Sequence, residues 1–198
     1  IALTDHNSCK NCPAILKHGE EYGITVIPGM ELTTAEEVHV VCLFPALGDA
    51  MAFDGYVYEH LLPIKNREDI FGKQQIMDAD DQVTGNVERL LIGATDISFD
   101  QVFGLVEAYR GIAYPAHIDK STTSLLSNLG FVPPDSRFAC AEISTFDHLH
   151  QIQKEHPYFL QCKMLSSSDA HYLEDIREPD YQIYAKSRAA KDILEGLR

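Results

Sequence analysis

Short apolar runs alternate with amphipathic stretches along this chain, the rhythm of an α/β architecture. Residues 1–4 read as a buried strand. A helix is expected from Pro13 to Tyr22, with Asn7 or Ser8 near its cap and Gly23 as its stop. A strand over 24–27 ends at Pro28-Gly29, and the β-branched run 38–44 predicts another. Leu47, Met51, Tyr58, Leu61 and Leu62 carry helical spacing. The clearest helix is 99–109, where Phe99, Val102, Phe103 and Val106 fall at i, i+3, i+4 and i+7; Ser98 can cap it and Gly111 ends it. Further strands are expected at 112–114, 139–143 and 164–166, and further helices at 124–129, 146–155 and 189–197.

Between residues 63 and 95 this rhythm fails. The segment is polar and contains Asp78-Ala79-Asp80-Asp81 and Thr84-Gly85-Asn86, both turn-forming. It reads as an irregular insertion, hairpin-like, in a single domain spanning 1–198.

Composition narrows the picture. A chain of 198 residues, 45% hydrophobic and 23% charged, is long enough to bury one core. Its longest apolar stretch, 40–47, is far short of a bilayer span and is broken by Pro45, and no basic, small-residue leader opens the chain. The expectation is a cytoplasmic protein without a membrane partner. Sixteen Lys and Arg against 30 Asp and Glu give a formal charge of −14. A surface that acidic repels a polyanion, so long nucleic acid is not expected as a partner. A small phosphorylated substrate stays open, because bound metal ions reverse the local charge.

Five cysteines, an odd number, do not form a disulfide framework in a chain of this size. Cys42, in an apolar run, reads as core. Cys9-Lys10-Asn11-Cys12 is a single Cys-x-x-Cys, a spacing used in zinc and redox sites. Without a second such pair its placement reads as incidental, although it follows Asp5-His6 directly and stands near a helix start that could lower a thiol pKa.

The residues just after the strands carry the chemistry. Thr4-Asp5-His6-Asn7 follows the first strand and Gly29-Met30-Glu31 the second; His39 lies within the third; Pro115-Ala116-His117 and Ser168-Asp169-Ala170-His171 follow later ones. In a parallel barrel the C-terminal strand ends converge on one face, where active sites form. Imidazole nitrogen and carboxylate oxygen suit zinc, iron or manganese. A lone histidine after a strand is more often structural, but five such sites in one register are hard to dismiss.

Thr-Asp-His-Asn, Gly-Met-Glu, Ala-His and Ser-Asp-Ala-His, in that order over nearly the whole chain, resemble the PHP (polymerase and histidinol phosphatase) family, and within it the stand-alone bacterial phosphoesterases. The resemblance implies a distorted (β/α)7 TIM-like barrel holding two or three divalent ions (Zn, Mn or Fe) at its C-terminal face. It implies that His6 and His171 share one metal and that Glu31 bridges two, one of them also held by His39 and His117. Asp169 would serve the metal that Glu31 shares with an upstream His-x-His pair, and Asp5 would support the site by hydrogen bonding. Family members open with that His-x-His strand. Nothing before Asp5 matches it, and Ile1 already stands in a strand. The expectation is therefore an N-terminally incomplete barrel with partial metal occupancy.

The function expected is metal-dependent hydrolysis of phosphate esters of a small phosphorylated metabolite or nucleotide. Water activated at the metal centre attacks phosphorus, and His171 or Asp169 passes a proton to the leaving alkoxide. Lys120, close after His117, and Arg67, in the insertion, are candidates to hold the substrate phosphate. An alternative is a catalytically inactive PHP-like barrel that binds metal or a partner. Retention of Glu31, His117, Asp169 and His171 argues against it. A third reading, a metal-dependent amidohydrolase, typically needs a bridging lysine at a strand end, and no lysine stands at one here.

Overall fold

The computed structural model describes residues 1–178 and 182–198. Strand β1 (Ala2–Leu3) lies parallel to β2 (Ile27–Thr33), and helix α1 (Cys12–Tyr22) makes the crossover that a parallel pair requires. Gly23 ends α1 in the left-handed region, at φ 66°, a conformation that glycine adopts without a Cβ penalty. Strand β3 (His39–Leu43) then turns back antiparallel to β2, and β6 (Ile112–Pro115) is antiparallel to β3. Strands β7 (Cys140–Glu142) and β8 (Lys163–Leu165) form a separate parallel pair. The Ile118 amide donates to the Glu142 carbonyl at 2.8 Å and ties that pair to the end of β6.

The chain is thus mixed α/β. Among the described residues the strands form a four-stranded sheet in the order β1-β2-β3-β6 and two two-stranded ones; where a distorted, N-terminally incomplete (β/α)7 barrel was expected, no closed barrel forms. One physical reason is local. Residues 34–38 are too few for a crossover, so the strands they join have to run antiparallel.

Pro28-Gly29, expected as a turn, lies inside β2. The Pro28 carbonyl accepts from the Phe44 amide at 2.9 Å, and a Cβ on Gly29 would come within 2.5 Å of the Cys42 carbonyl oxygen. Glycine stands there because β3 passes so close, and the strand runs on to carry Glu31.

The strand alternation sorts the core onto two faces. Met30, Leu32, Val40, Cys42 and Phe44 join the larger cluster, covered by Ala50, Phe53 and Val57 of α2 (Leu47–His60) and by Phe99, Val102 and Val106 of α4 (Phe99–Ala108). Ser98 caps α4 as expected, its amide donating to the Gln101 side chain at 3.0 Å. Arg110, at φ 65°, takes the left-handed position just before Gly111. Ile27, Val41, Leu43, Ile112, Tyr114, Cys140 and Leu165 form the second cluster with Leu194 and Leu197 of α7 (Ala190–Leu197). Glu31 pairs with Val41, which pairs with Tyr114, so the carboxylate shares the face of this second cluster.

Residues 63–95 hold a short helix α3 (Glu68–Phe71) and an antiparallel hairpin of β4 (Gln75–Met77) and β5 (Val83–Asn86). Asp78 Oδ1 closes the hairpin turn, accepting from the Asp80 and Gln82 amides at 2.9 Å each. The expected helix over 124–129 is one turn, α5 (Leu125–Asn128), and that over 146–155 begins as a 3₁₀ turn before α6 (Leu149–Glu155). No described helix is long and apolar enough to cross a membrane.

Candidate metal centre

Glu31 is buried within β2, in a strand otherwise made of apolar and small residues. Three imidazoles surround its carboxylate. His6 Nδ1 lies 3.2 Å and His39 Nδ1 3.0 Å from Oε2, and His117 Nε2 lies 3.4 Å from Oε1. The ring centroids of His6 and His39 are 5.1 Å apart and those of His39 and His117 5.3 Å. Among the described residues, His6, Glu31 and His39 form a group whose donor atoms all lie within 4.8 Å of one another.

Strand direction explains the convergence. His39 opens β3, and because β3 is antiparallel its start lies beside the end of β2, with His39 opposite Thr33. His6 bridges to Glu31 in parallel fashion just beyond β1. His117 follows β6, whose end lies beside the start of β3, since Pro115 pairs with Val40. The backbone here departs from ordinary conformations. Asn7, His117 and Asp169 have φ of 48°, 27° and 48°. Non-glycine residues held in that region cost about 1–3 kcal/mol each and cluster at functional sites.

The donor set fits a divalent ion. The Nδ1 atoms of His6, His39 and His117 are buried without a well-aligned hydrogen-bond partner among the described residues. Those of His6 and His39 nonetheless face the same carboxylate oxygen. Donor atoms this close together, with no N–H aligned between them, suit a shared cation. Buried nitrogens left unsatisfied are costly otherwise. Burial pushes the Glu31 carboxyl up, but the His117, His39 and His6 rings beside it more than offset this and hold it well below the usual carboxylate range. Burial lowers His6, against the pull of Glu31. His117 is raised, because Glu31 outweighs its burial.

The other candidates lie around this group. The His171 ring centroid is 6.2 Å from that of His6, and His171 Nδ1 is 3.0 Å from the Asp169 carbonyl oxygen. Lys120 forms an ion pair with Asp169. Arg67 is not brought to this rim; it precedes α3, is exposed, and pairs with Asp69 at 2.6 Å. Asp5 accepts the Glu31 amide on its carbonyl at 3.1 Å, while its Oδ2 accepts from Asn11 at 3.0 Å. Burial raises its carboxyl.

Two buried residues here had no assigned place at this rim. Asn7 pins the loop after β1, its Nδ2 donating to the Leu91 and Gly93 carbonyls at 2.6 and 2.9 Å and its Oδ1 accepting from Thr33 N at 2.9 Å. Glu142, on β7, accepts from the Ser167 hydroxyl, and burial raises its carboxyl. A carboxylate inside the apolar run 139–143 was the legible sign of Glu142.

No family model and no curated protein matches this chain. Three solved structures share its fold. The lesion-specific endonuclease Q of Pyrococcus furiosus aligns with 89% of this chain at 17% identity and a TM-score of 0.58. Endonuclease Q in complex with a 27-mer duplex carrying an abasic lesion at the active site aligns with 86% at 16% identity and a TM-score of 0.51. A candidate metal-dependent phosphoesterase from Bifidobacterium adolescentis aligns with 98% of this chain and 85% of its own, at 15% identity and a TM-score of 0.51. This chain spans 40% of the endonuclease Q chains.

These likenesses correct one expectation. Net charge was the ground for excluding long nucleic acid, yet this fold occurs in an enzyme solved with duplex DNA at its active site. A charge of −14 is summed over the whole surface, whereas a metal centre sets the field where a phosphate binds. Net charge therefore does not exclude a nucleic-acid substrate.

Proposed function

We propose that this chain is a PHP-type, metal-dependent hydrolase of phosphate esters. The observation that carries the reading is the buried Glu31 carboxylate with His6 and His39 on one oxygen and His117 on the other. The likeness to endonuclease Q and to the Bifidobacterium protein supports it, since phosphoester cleavage is the chemistry in both names.

His6, Glu31, His39 and His117 would hold the ion or ions, with Asp169 and His171 at the edge of the group. A divalent ion bound there supplies Lewis acidity toward a phosphoryl oxygen and acidifies water for attack. The chain's own residues do the rest. Lys120, anchored by Asp169 and half-exposed at the rim, offers its ammonium to a phosphate oxygen that approaches from solvent. His171 donates its Nδ1 proton to the Asp169 carbonyl, which fixes the ring and leaves Nε2 as the free nitrogen. Nε2 takes up the proton that the attacking water loses and passes it to the leaving alkoxide.

The sequence suggests a small phosphorylated metabolite or nucleotide as substrate, and the fold shared with endonuclease Q adds a DNA phosphodiester. Chelated protein reloaded with zinc, manganese or ferrous ion is assayed on an aryl phosphate, mononucleotides and an abasic-site duplex. Metal-dependent cleavage of at least one, lost in Glu31→Gln, is the expected result. Metal binding without cleavage of any of them overturns the proposal in favour of a non-catalytic metal-binding domain.

A further inference from the structure

Cys9 and Cys12 take no part in the chemistry above, although they share a loop with His6. Residues 9–12 form one turn, closed by the Cys12 amide donating to the Cys9 carbonyl at 2.9 Å, and Cys12 is the first residue of α1. Both side chains are fully buried. Their sulfurs converge on one acceptor, the Gly29 carbonyl oxygen lying 3.1 Å from Cys9 Sγ and 3.5 Å from Cys12 Sγ. Two thiols on one turn, directed at one oxygen, are placed to close a Cys-x-x-Cys disulfide with little backbone movement. Cys42, buried on β3, is aimed instead at the Val40 carbonyl, 3.6 Å away.

Hydrogen bonding between the two side chains raises the Cys9 thiol and lowers that of Cys12. Cys12 stands at the first position of α1, where the helix N-terminus favours a thiolate, so it is the attacking sulfur and Cys9 the resolving one. The turn is also wired to the candidate metal centre. Asn11, between the cysteines, donates to Asp5 Oδ2 at 3.0 Å and accepts from the Met77 amide at 2.9 Å. Asp5 in turn holds the Glu31 amide through its carbonyl and is followed by His6.

We propose that Cys9 and Cys12 are a redox pair, oxidised by a low-molecular-weight disulfide to an intramolecular disulfide, and that its closure weakens metal binding at His6 and Glu31 through Asn11 and Asp5. The Cys12 thiolate attacks one sulfur of the small disulfide and releases one small thiol. Cys9, losing its proton, then attacks the Cys12 sulfur of the mixed disulfide and releases the second. Two protein thiols and one small disulfide become one protein disulfide and two small thiols. Both sulfurs are buried, so the exchange requires the turn 9–12, held by the Cys9 amide donating to Asp54 Oδ1 at 2.8 Å, to open first; its Lys10 and Asn11 are only partly buried. The coupling rests on the metal centre proposed above; the disulfide does not.

The test equilibrates the metal-free chain in mixtures of reduced and oxidised glutathione, quenches it by alkylation and maps the peptide containing residues 9–12 by mass spectrometry. Cys9 and Cys12 should become protected together, with a mass two hydrogens lower, while the circular dichroism stays native. Cys42, Cys140 and Cys162 should remain alkylatable after denaturation, and Cys12→Ser should never yield the linked peptide. Manganese, which avoids thiolate ligands, is then titrated into both forms. The oxidised chain should bind it about tenfold more weakly. The double variant Cys9→Ser, Cys12→Ser should bind it like the reduced chain in either mixture. A pair that stays reduced until the chain unfolds overturns the redox site. A disulfide that forms with manganese affinity unchanged overturns the coupling alone.

Discussion

The Nδ1 of His39 lies 3.0 Å from the Oε2 of Glu31, although the two residues stand on strands that run in opposite directions. The antiparallel turn between β2 and β3 makes this meeting possible, because it brings the start of one strand to the end of the other. The carboxylate faces inward with Val41 and Tyr114, so it is buried; His117 is buried beside it, and His6 and His39 are half-buried.

Glu31→Gln replaces one carboxylate oxygen with an amide nitrogen while keeping the side chain's shape. Affinity for zinc or manganese should fall by about 100-fold or more, since even residues that only orient ligands are worth about 10- to 100-fold. Isothermal titration of chelated protein measures it. Unchanged affinity would place the ion elsewhere.

Glu142 gives a pH dependence. Burial raises its folded carboxyl above the ordinary value of 4.5, so the folded state holds its proton more tightly than the unfolded state. The stability it contributes is fully present below the ordinary carboxyl value and is lost as pH rises through the raised folded value. Glu142→Gln keeps an acceptor for Ser167 and removes the ionisation. Relative to wild type, the variant should gain stability as pH moves from 4 to 7. Urea melts of the metal-free chain at a series of pH values read this difference.

Gly29→Ala tests the packing of β2 against β3. The added methyl would stand 2.5 Å from the Cys42 carbonyl oxygen and 2.8 Å from Leu43 Cδ2, and the backbone contact cannot yield without moving the strand. A loss of about 2–3 kcal/mol is expected in chemical denaturation, with metal affinity falling as Glu31 shifts.

Lys120→Ala separates function from stability. The Lys120–Asp169 pair is part-exposed, so its removal should change stability by less than about 1 kcal/mol. The loss of a cation at the rim should lower kcat/KM on the best phosphate ester by about tenfold. Thermal melts and steady-state kinetics on one preparation show both.

Much of this was legible in the chain. The Gly23 stop of α1, the capped α4, and the order of strands and helices follow from spacing and capping residues, whereas α1 starts after Asn11 and not at the expected Asn7 or Ser8. The histidines and carboxylates singled out at or near strand ends lie at or around this rim, whereas Glu142 was legible only as a carboxylate inside an apolar run. What the sequence hid was set by contacts between strands. Pro28-Gly29 is a turn signal in isolation, and only the approach of β3 turns it into strand. The direction of β3 followed from the short link 34–38, whereas the barrel expectation rested on resemblance. Charge misled in another way, because a sum over all residues says little about the field at one metal centre.

The most direct measurement is phosphate ester cleavage as manganese or zinc is titrated into chelated protein, with bound metal quantified in the same samples. The expected result is activity that rises with site occupancy, saturates with it, and is absent in Glu31→Gln at every metal concentration. Cleavage that persists in chelator or survives Glu31→Gln, or full occupancy with no cleavage of any substrate in the panel, would contradict a hydrolytic metal centre at Glu31.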